Sequence, residues 1–299
     1  MKFKADKDSK TPSNKQLMNA VTDNLISLMK TEGAHWTKPF ASKGCLPVNA
    51  STGKEYSGSN VLLLMMATED CEFAGYSQWV KLGAKVKKGE SGHAIVRPHV
   101  AKDKKDPEKK FIAGFGITYV FGRSQLDNPP PSIIEPSDSI DITERLEIAD
   151  SYFAATGAKI CHSASGKAFY SPQSDAITIP SRELFSATKT STATETYYST
   201  LAHECIHWTG NTKRLDRIKN SSWGDDLYAF EELIAEIGAA MLSVKLGISN
   251  EPRADHAEYL NSWITNLQDD PEAMFKAAKK AYQAIQLIDG FQANQAAAA

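Results

Sequence analysis

One short run limits the fold and chemistry of this chain more than any other: Ala-His-Glu-Cys-Ile-His-Trp, in which His203, Glu204 and His207 form an H-E-x-x-H motif. Residues four apart lie one turn above each other on the same face of an α-helix, so both imidazoles can reach one divalent ion. Two histidines and one carboxylate leave a coordination position for water, and Zn²⁺ lowers the pKa of such a water to ~7. The motif therefore predicts a catalytic metal site in which Glu204 takes the proton.

The flanking sequence supports a helix around the motif. A Ser/Thr-rich run at 190–196 can cap its start, and Gly210 can end it. The apolar stripe of this helix lies beside the histidine face and consists of Tyr198, Leu201, Ala202 and Cys205. Because the histidines lie off that stripe, metal binding is favoured over the alternative, two hydrogen-bonded histidines on an ordinary amphipathic helix.

The third ligand is predicted on a second helix. The longer H-E-x-x-H-x-x-G-x-x-H pattern is absent, since Lys213 occupies the position of its last histidine. The stretch 226–246 has helical periodicity and places Glu232 and Glu236 one turn apart on its polar strip. We expect Glu232 to bind the metal and Glu236 to accept a hydrogen bond from the distal nitrogen of a ligating histidine. Glu231 points about 100° away and is the weaker candidate; the alternative is a solvated acidic face.

The donor set predicts the cofactor. Imidazole and carboxylate ligands suit one divalent ion, with Zn²⁺ expected and Mn²⁺ as the alternative. The chain has no G-x-S-x-G elbow and no phosphate-binding glycine loop, which argues against nucleophilic-serine chemistry and nucleotide hydrolysis.

Length and charge predict two domains. The chain has 299 residues, and the proline-rich stretch 129–139 has the composition of a linker between a domain at 1–128 and one at 140–299. The first 128 residues hold 20 Lys/Arg and 13 Asp/Glu, a net charge of +7; the remainder holds 14 and 23, a net charge of −9, which together give −2. A basic first half favours an anionic partner.

Compartment is predicted from what the sequence lacks. The longest apolar stretch, 61–67, is far shorter than the ~20 residues of a membrane span, and the first residues do not resemble a signal peptide. We therefore expect a cytoplasmic protein without a membrane partner. The four cysteines show no C-x-x-C spacing, so reduced thiols without a disulfide are expected.

The first half interleaves aromatic and basic residues with turn residues. Rings stack on bases and cations neutralise phosphates, a combination that suits single-stranded nucleic acid. The run 111–121 alternates bulky and small residues as a strand does, and its bulky face is predicted to be core rather than a stacking platform. The candidate DNA-binding residues are Trp36, Lys38, Lys54, Tyr56, Asn60, Trp79, Lys85, Lys87, Lys88 and Arg97.

Motifs along both halves point to one family. The first half contains Trp36-x-Lys-Pro-Phe, Leu46-Pro-Val-Asn, Thr52-Gly-Lys-x-Tyr-x-Gly-x-Asn60, Trp79 and Leu82-Gly-Ala-x-Val-x-Lys-Gly-Glu90. The second half contains Ala168-Phe-Tyr-Ser-Pro, Ile177-x-Ile-Pro180, Leu201-Ala-His-Glu-x-x-His-Trp-Thr-Gly210, Arg214-Leu-Asp, Glu231-Glu-Leu-x-Ala-Glu236 and Asp255-His-Ala-x-Tyr259. In this order the motifs cover nearly the whole chain and resemble the ArdC antirestriction family, whose N-terminal domain is shared with TraC-type primases of conjugative plasmids.

The resemblance implies an α+β fold: a small mixed domain that binds single-stranded DNA, then a zincin-like metallopeptidase domain. It also implies protection of incoming plasmid DNA from host restriction. The substrate does not follow from the resemblance; the candidates are a host restriction protein, another DNA-bound protein and the protein itself. A 169–179 hairpin would hold extended peptide, and Tyr170, His256 or Tyr259 could stabilise an oxyanion. In the alternative, the protein only coats DNA and its metal site is inert or structural.

Overall fold

The fold is an α+β arrangement of two sheets and their helices, as the family resemblance implies. The structure is a computed structural model, and it describes residues 14–32, 45–102, 110–134, 142–187, 191–218, 226–248, 264–265 and 267–298. None of the helices in these ranges is both long and apolar enough to cross a membrane.

The first half builds a four-stranded sheet with the order β1-β2-β4-β3, in which β1 and β2 are parallel and the other pairs antiparallel. Its strands are β1 Val48–Asn49, β2 Glu72–Ala74, β3 His93–Lys102 and β4 Lys110–Gly122. Its helices are α1 Asn14–Glu32, α2 Ser59–Ala67 and α3 Tyr76–Lys81. β4 spans the predicted strand at 111–121. On its bulky face Ile117 and Phe121 pack against core residues, whereas Phe115 is 55% exposed, so that face is core only in part.

The expectation of reduced, unpaired thiols throughout is wrong for two of the four cysteines. Cys45 and Cys71 form a disulfide with their Cα atoms 5.9 Å apart, whereas Cys161 and Cys205 are free thiols. The parallel pairing of β1 with β2, in which Val48 N donates to Cys71 O at 2.8 Å, aligns the segments that carry both partners. Cysteine spacing in the sequence contains no trace of that pairing, which is why it was missed.

The second half places a three-stranded sheet beside four helices. The sheet has the order β5-β7-β6; β5 Lys159–Ser163 runs parallel to β7 Ala176–Pro180, and β6 Phe169–Ser171 is an antiparallel edge strand. β6 and β7 form the predicted hairpin. The helices are α4 Ile142–Ala154, α5 Ala193–Thr209, α6 Asp226–Lys245 and α7 Ala273–Ala298.

The two halves share one hydrophobic core. α2 is apolar on all sides, and its five consecutive residues 61–65 are buried. Four of these five belong to the cluster that also contains the buried faces of α5, α6 and α7. Thr22 of α1 reinforces the junction by donating to Pro271 O at 2.7 Å. Because α2 is buried on every face, side chains from both halves must cover it, and α2 therefore joins the halves. The linker predicted at 129–139 stays a prediction: residues 129–134 lie outside helices and strands, and 135–139 lie outside the described residues.

Candidate metal centre

Local capping fixes the helix that carries the H-E-x-x-H motif. Thr192 is its N-cap: the Thr192 side chain accepts from Glu195 N at 3.2 Å, and Thr192 N donates to the Glu195 carboxylate at 2.8 Å. This reciprocal pair is a capping box. Gly210 closes the other end, so α5 has the bounds that the flanking sequence indicated.

The two histidines and Glu232 meet between α5 and α6. His203 Nε2 and His207 Nε2 lie 3.0 Å apart. The Glu232 carboxylate approaches them at 3.4 Å and 3.2 Å respectively. One ligand atom from each residue lies within 4.8 Å of the others, and all three residues are buried. Two imidazole nitrogens and a carboxylate oxygen converging at this distance form a donor set that fits a divalent ion such as Zn²⁺ or Mn²⁺.

Each histidine also faces a carboxylate on its far nitrogen. Glu236 Oε1 lies 2.9 Å from His203 Nδ1, the position expected from the sequence. Glu231 Oε1 lies 3.5 Å from His207 Nδ1. The sequence ranks Glu231 as the weaker candidate because it points about 100° away from Glu232 on the helix. Glu231 and Glu232 are adjacent on the second helix and point in different directions. Glu231 therefore faces away from the metal position and toward Nδ1 of His207.

The buried charges of this cluster perturb one another strongly. Burial alone would lower the pKa of His207, but the Glu232 and Glu231 carboxylates outweigh it and raise that pKa to about 10. Burial would likewise raise the pKa values of Glu231 and Glu232, yet both are held below their usual range, Glu232 by the two histidines and Glu231 by His207 and Arg217. The carboxylates of this cluster therefore stabilise a positive charge between them.

Glu204 lies on the same helix and is 2% exposed. It follows His203 directly on α5, and its negative charge is among the influences that raise the pKa of His207. Cys205, the next residue, is buried in the main core, and burial raises the pKa of its thiol far above the ordinary value. Cys205 is thus a core residue, as expected, while Glu204 is the acid–base candidate.

Tyr170 does not suit the role of oxyanion donor that sequence reasoning considered for it. Its hydroxyl donates to Asp175 at 2.8 Å and accepts from Asn211 at 2.6 Å and Arg214 at 3.3 Å. A phenol has one proton to give, and here Asp175 receives it. The other two candidates, His256 and Tyr259, lie outside the described residues.

The network around Tyr170 ties the β6–β7 hairpin to the end of α5. Arg214 pairs with Asp175 in the turn of the hairpin, its Nε donates to Trp208 O at 2.6 Å, and its guanidinium lies 3.9 Å above the Trp208 ring. The edge strand β6 is thereby fixed relative to the helix that carries the histidines. We refer to Asp175, Arg214 and Tyr170 as the hairpin latch.

Several of the predicted DNA-binding residues make structural contacts within the first half. Trp79 is fully buried, and its Nε1 donates to Phe121 O at 2.9 Å. Tyr56 is half-buried, packs edge-on against Phe73 and bonds through its hydroxyl to Phe73 O at 3.4 Å. The Asn60 side-chain amide donates to Val96 O and accepts from Val96 N, both at 2.8 Å. Large rings and satisfied amides more often belong to cores than to open binding faces, and these three positions follow that tendency.

The basic candidates remain at the surface. Lys54, Lys85, Lys88 and Arg97 are exposed, and Lys87 is exposed while donating to Ser124 O at 2.8 Å. Trp36 and Lys38 lie outside the described residues.

The sequence analysis missed one exposed aromatic residue of the first half. Tyr76 opens α3, is 57% exposed and meets Phe121 edge-on with ring centroids 6.3 Å apart. Helix geometry could have indicated this exposure. If Trp79 lies on the inner face of α3, Tyr76, three positions earlier, lies about 60° away from it at the edge of that face.

Comparison with known proteins agrees with this arrangement. Residues 15–121 match the N-terminal domain of the anti-restriction factor ArdC, and residues 147–280 match a zincin-like metallopeptidase domain. Fold and site together define a two-domain protein in which a zincin-like unit follows an ArdC-type N-terminal unit. The chain belongs to the ArdC antirestriction family.

The relatives that support this assignment are similar over nearly the whole chain. The crystal structure of the antirestriction ArdC protein from plasmid R388 superposes with a TM-score of 0.73 at 34% identity, covering 93% of this chain and 98% of that one. Its Mn(II)-bound form gives 0.72 at 33% identity, also over 93% and 98%. The uncharacterized protein y4eC of Sinorhizobium fredii is 33% identical over 97% of this chain and 95% of that protein. The DNA primase TraC of Escherichia coli is 33% identical over 97% of this chain, which spans only 21% of that protein.

Proposed function

We propose that this protein binds incoming single-stranded plasmid DNA through its first half and protects it from host restriction with the help of a metallopeptidase-type site in its second half. The observation that carries the proposal is the buried convergence of His203, His207 and Glu232 inside a zincin-like domain joined to an ArdC-type domain. Family membership supports the antirestriction role, and the Mn(II)-bound relative supports a divalent ion.

The chemistry of the site follows from its donors. His203, His207 and Glu232 would hold the divalent ion, which would supply Lewis acidity to lower the pKa of water and to polarise a carbonyl. Glu204, one residue from His203 on the same helix, is the base that would take a proton from the attacking water and pass it to the leaving amine. Glu236 and Glu231 lie 2.9 Å and 3.5 Å from the Nδ1 atoms of His203 and His207, and they would keep the two imidazole rings oriented.

A peptide substrate has a ready docking edge. β6 is an edge strand of its sheet, so an extended segment can pair with it through backbone hydrogen bonds. The hairpin latch fixes that edge relative to α5, and Phe169 at 48% exposure offers an apolar contact beside it. A host restriction protein or a protein bound to the DNA is the proposed substrate, and Tyr259 and His256 are the remaining candidates for stabilising the oxyanion.

DNA binding is proposed for the basic surface of the first half. Lys54, Lys81, Lys85 and Lys88 are exposed, and none is paired with a carboxylate among the residues that the structure describes. Tyr76 offers a ring on which a base can stack. Aromatic stacking and phosphate neutralisation together suit a flexible single strand better than a duplex.

The second candidate function is DNA coating without proteolysis. One observation favours it: His203 and Glu204 are each 2% exposed, so little of the site meets solvent in this part of the structure. In that case the metal ion would have a structural role, joining α5 to α6.

Conjugative transfer into a restricting host separates the two functions. Glu204→Gln keeps the size of the side chain and removes the base, and it leaves the three proposed ligands intact. We expect a fall in plasmid protection of at least 10-fold with unchanged metal content and unchanged DNA binding, because general base catalysis contributes roughly 10²–10⁴-fold to rate. Full protection by a folded Glu204→Gln protein would establish the coating function instead.

A further inference from the structure

Arg217 lies buried between the two helices that carry the proposed metal ligands. Only 4% of its side chain is exposed. The main chain around it is held close to the end of α5, since Arg217 N and Ile218 N both donate to Gly210 O, at 2.9 Å and 3.0 Å. A buried guanidinium needs partners for its five N–H groups, and those partners show what this one connects.

The guanidinium bonds to both helices at once. On α5, its Nη2 donates to Ile206 O at 2.8 Å and its Nη1 donates to the Thr209 hydroxyl at 2.9 Å. On α6, it makes a bidentate contact with the Glu231 carboxylate, with Nη2 at 2.8 Å from Oε1 and Nε at 3.2 Å from Oε2. Paired donors of this kind fix direction as well as distance, which a lysine ammonium cannot do.

The positions of these contacts relate directly to the metal ligands. Ile206 precedes His207, and Glu231 precedes Glu232, so Arg217 holds the residue next to a ligand on each helix. Glu231 also lies 3.5 Å from Nδ1 of His207, whose opposite nitrogen faces Glu232 at 3.2 Å. A chain of contacts thus runs from Arg217 through Glu231 to the His207 ring.

We propose that Arg217 is a positioning residue for the metal centre: it sets the spacing between His207 and Glu232 and the orientation of the His207 ring without touching the ion. This inference rests on the proposed metal site and extends it to a side chain ten residues beyond the motif. Without Arg217, Glu231 is a buried carboxylate that has lost its forked partner, and it can turn away from His207.

Cobalt binding by the full-length protein tests the proposal, because the visible spectrum of Co²⁺ reports its coordination as well as its affinity. We expect Arg217→Gln to weaken Co²⁺ binding about 10- to 100-fold and to alter the spectrum, the range typical for loss of a residue that supports a ligand. Glu231→Gln keeps an amide oxygen for His207 and should lose less, and its effect should not add to that of Arg217→Gln in the double variant.

Arg214→Gln is the matched control. Arg214 lies in the same loop and also donates to an α5 carbonyl, that of Trp208, but its carboxylate partner is Asp175 of the hairpin. This variant should lose stability in urea and keep its Co²⁺ affinity and spectrum, whereas His207→Ala sets the level of a broken site.

The outcomes are distinct. If Arg217→Gln and Glu231→Gln both bind Co²⁺ within twofold of the wild type with an unchanged spectrum, Arg217 is only a structural residue and the inference is wrong. If Arg217→Gln does not fold, Glu231→Gln and Arg217→Lys, which keeps the charge without the fork, decide the question by the same two measurements. If the wild type takes up no Co²⁺, the metal site itself fails, which is a separate result.

Discussion

At the scale of single residues, several charged groups of the second half each face a partner of opposite charge. His203 and His207 face Glu236 and Glu231, and Asp175 faces Arg214. A buried charge without its partner costs several kcal/mol, so such pairs are sensitive to substitution. This sensitivity makes single-atom changes informative tests of each pair.

The Asp175 carboxylate of the hairpin latch should make stability depend on pH in acid. Arg214 holds the pKa of Asp175 at about 2, below its ordinary 3.8. A group whose pKa is depressed on folding contributes stability that is present above the unfolded pKa and is lost as pH falls through the folded one. The wild type should therefore lose on the order of 1 kcal/mol between pH 4 and pH 2 through this group.

Urea unfolding of wild type and Asp175→Asn over that pH range measures the contribution. Asn is suited to this position because Asp175 has φ of 49°, a left-handed conformation that Asn tolerates. The variant should be less stable than the wild type at pH 6, and the difference should shrink toward pH 2. A constant difference at every pH would show that the carboxylate charge does not stabilise the latch.

Prediction from sequence succeeded for residues whose spacing alone fixes their relation. Residues four apart lie on the same face of a helix. This spacing alone places His203 beside His207 and Glu232 beside Glu236. The sequence did not show how the rings of Trp79 and Tyr56 pack, because that depends on segments far away in the chain: Phe121 for Trp79 and Phe73 for Tyr56. Aromatic identity in a loop-rich stretch does not carry that information.

At the scale of elements, the site depends on how closely α5 and α6 cross. Gly238 of α6 lies where the two helices meet: a Cβ added there would lie 2.7 Å from Cγ1 and 2.8 Å from Cδ1 of Ile206. Ile206 is itself fully buried and precedes His207. Glycine at this position therefore allows the close approach that brings Glu232 within reach of the histidines.

Gly238→Ala should push the helices apart. Alanine is favoured over glycine in a helix by ~1 kcal/mol, but overpacking a tight core costs roughly 1–3 kcal/mol. We expect a net loss of about 1 kcal/mol in urea unfolding together with weaker metal binding. Gly290→Ala on α7 is the control, since a Cβ there meets no atom within 4 Å and should stabilise the protein. Equal effects of the two substitutions would contradict the role of Gly238.

Elements were predictable where local signals mark their ends. The Thr192 capping box, the Gly210 stop and the turn between β6 and β7 all stand in the sequence. The two-residue strand β1 does not, because Val48 and Asn49 become a strand only by pairing in parallel with β2. The Cys45–Cys71 disulfide was missed for the same reason, since it follows from that nonlocal pairing.

At the scale of the whole molecule, a basic first half and an acidic second half share one core. Val61 and Met65 of α2 pack in the same cluster as Ala281 and Ile285 of α7, so the halves are not independent bodies joined only by a linker. Glu55 of the first half also meets Lys245 of the second at 3.9 Å. A fragment ending at residue 128 would expose the apolar face of α2, and DNA binding is therefore best measured on the full chain.

The charge asymmetry of the molecule leads to the last prediction, which separates rings from charges in DNA binding. Fluorescence titration of a labelled, unstructured oligonucleotide at several salt concentrations gives both an affinity and a salt slope. Tyr76→Ala should weaken binding by roughly 1–3 kcal/mol at every salt concentration with an unchanged slope, because a stacked base releases no counterion. Lys88→Ala should reduce the slope by about 0.7 for one lost phosphate contact on a single strand. The control is Leu184→Ala, which removes a side chain of 53% exposure from the second half and should change neither quantity. If Tyr76→Ala binds with unchanged affinity while Lys88→Ala reduces the salt slope, binding is purely electrostatic and Tyr76 is not part of the binding site.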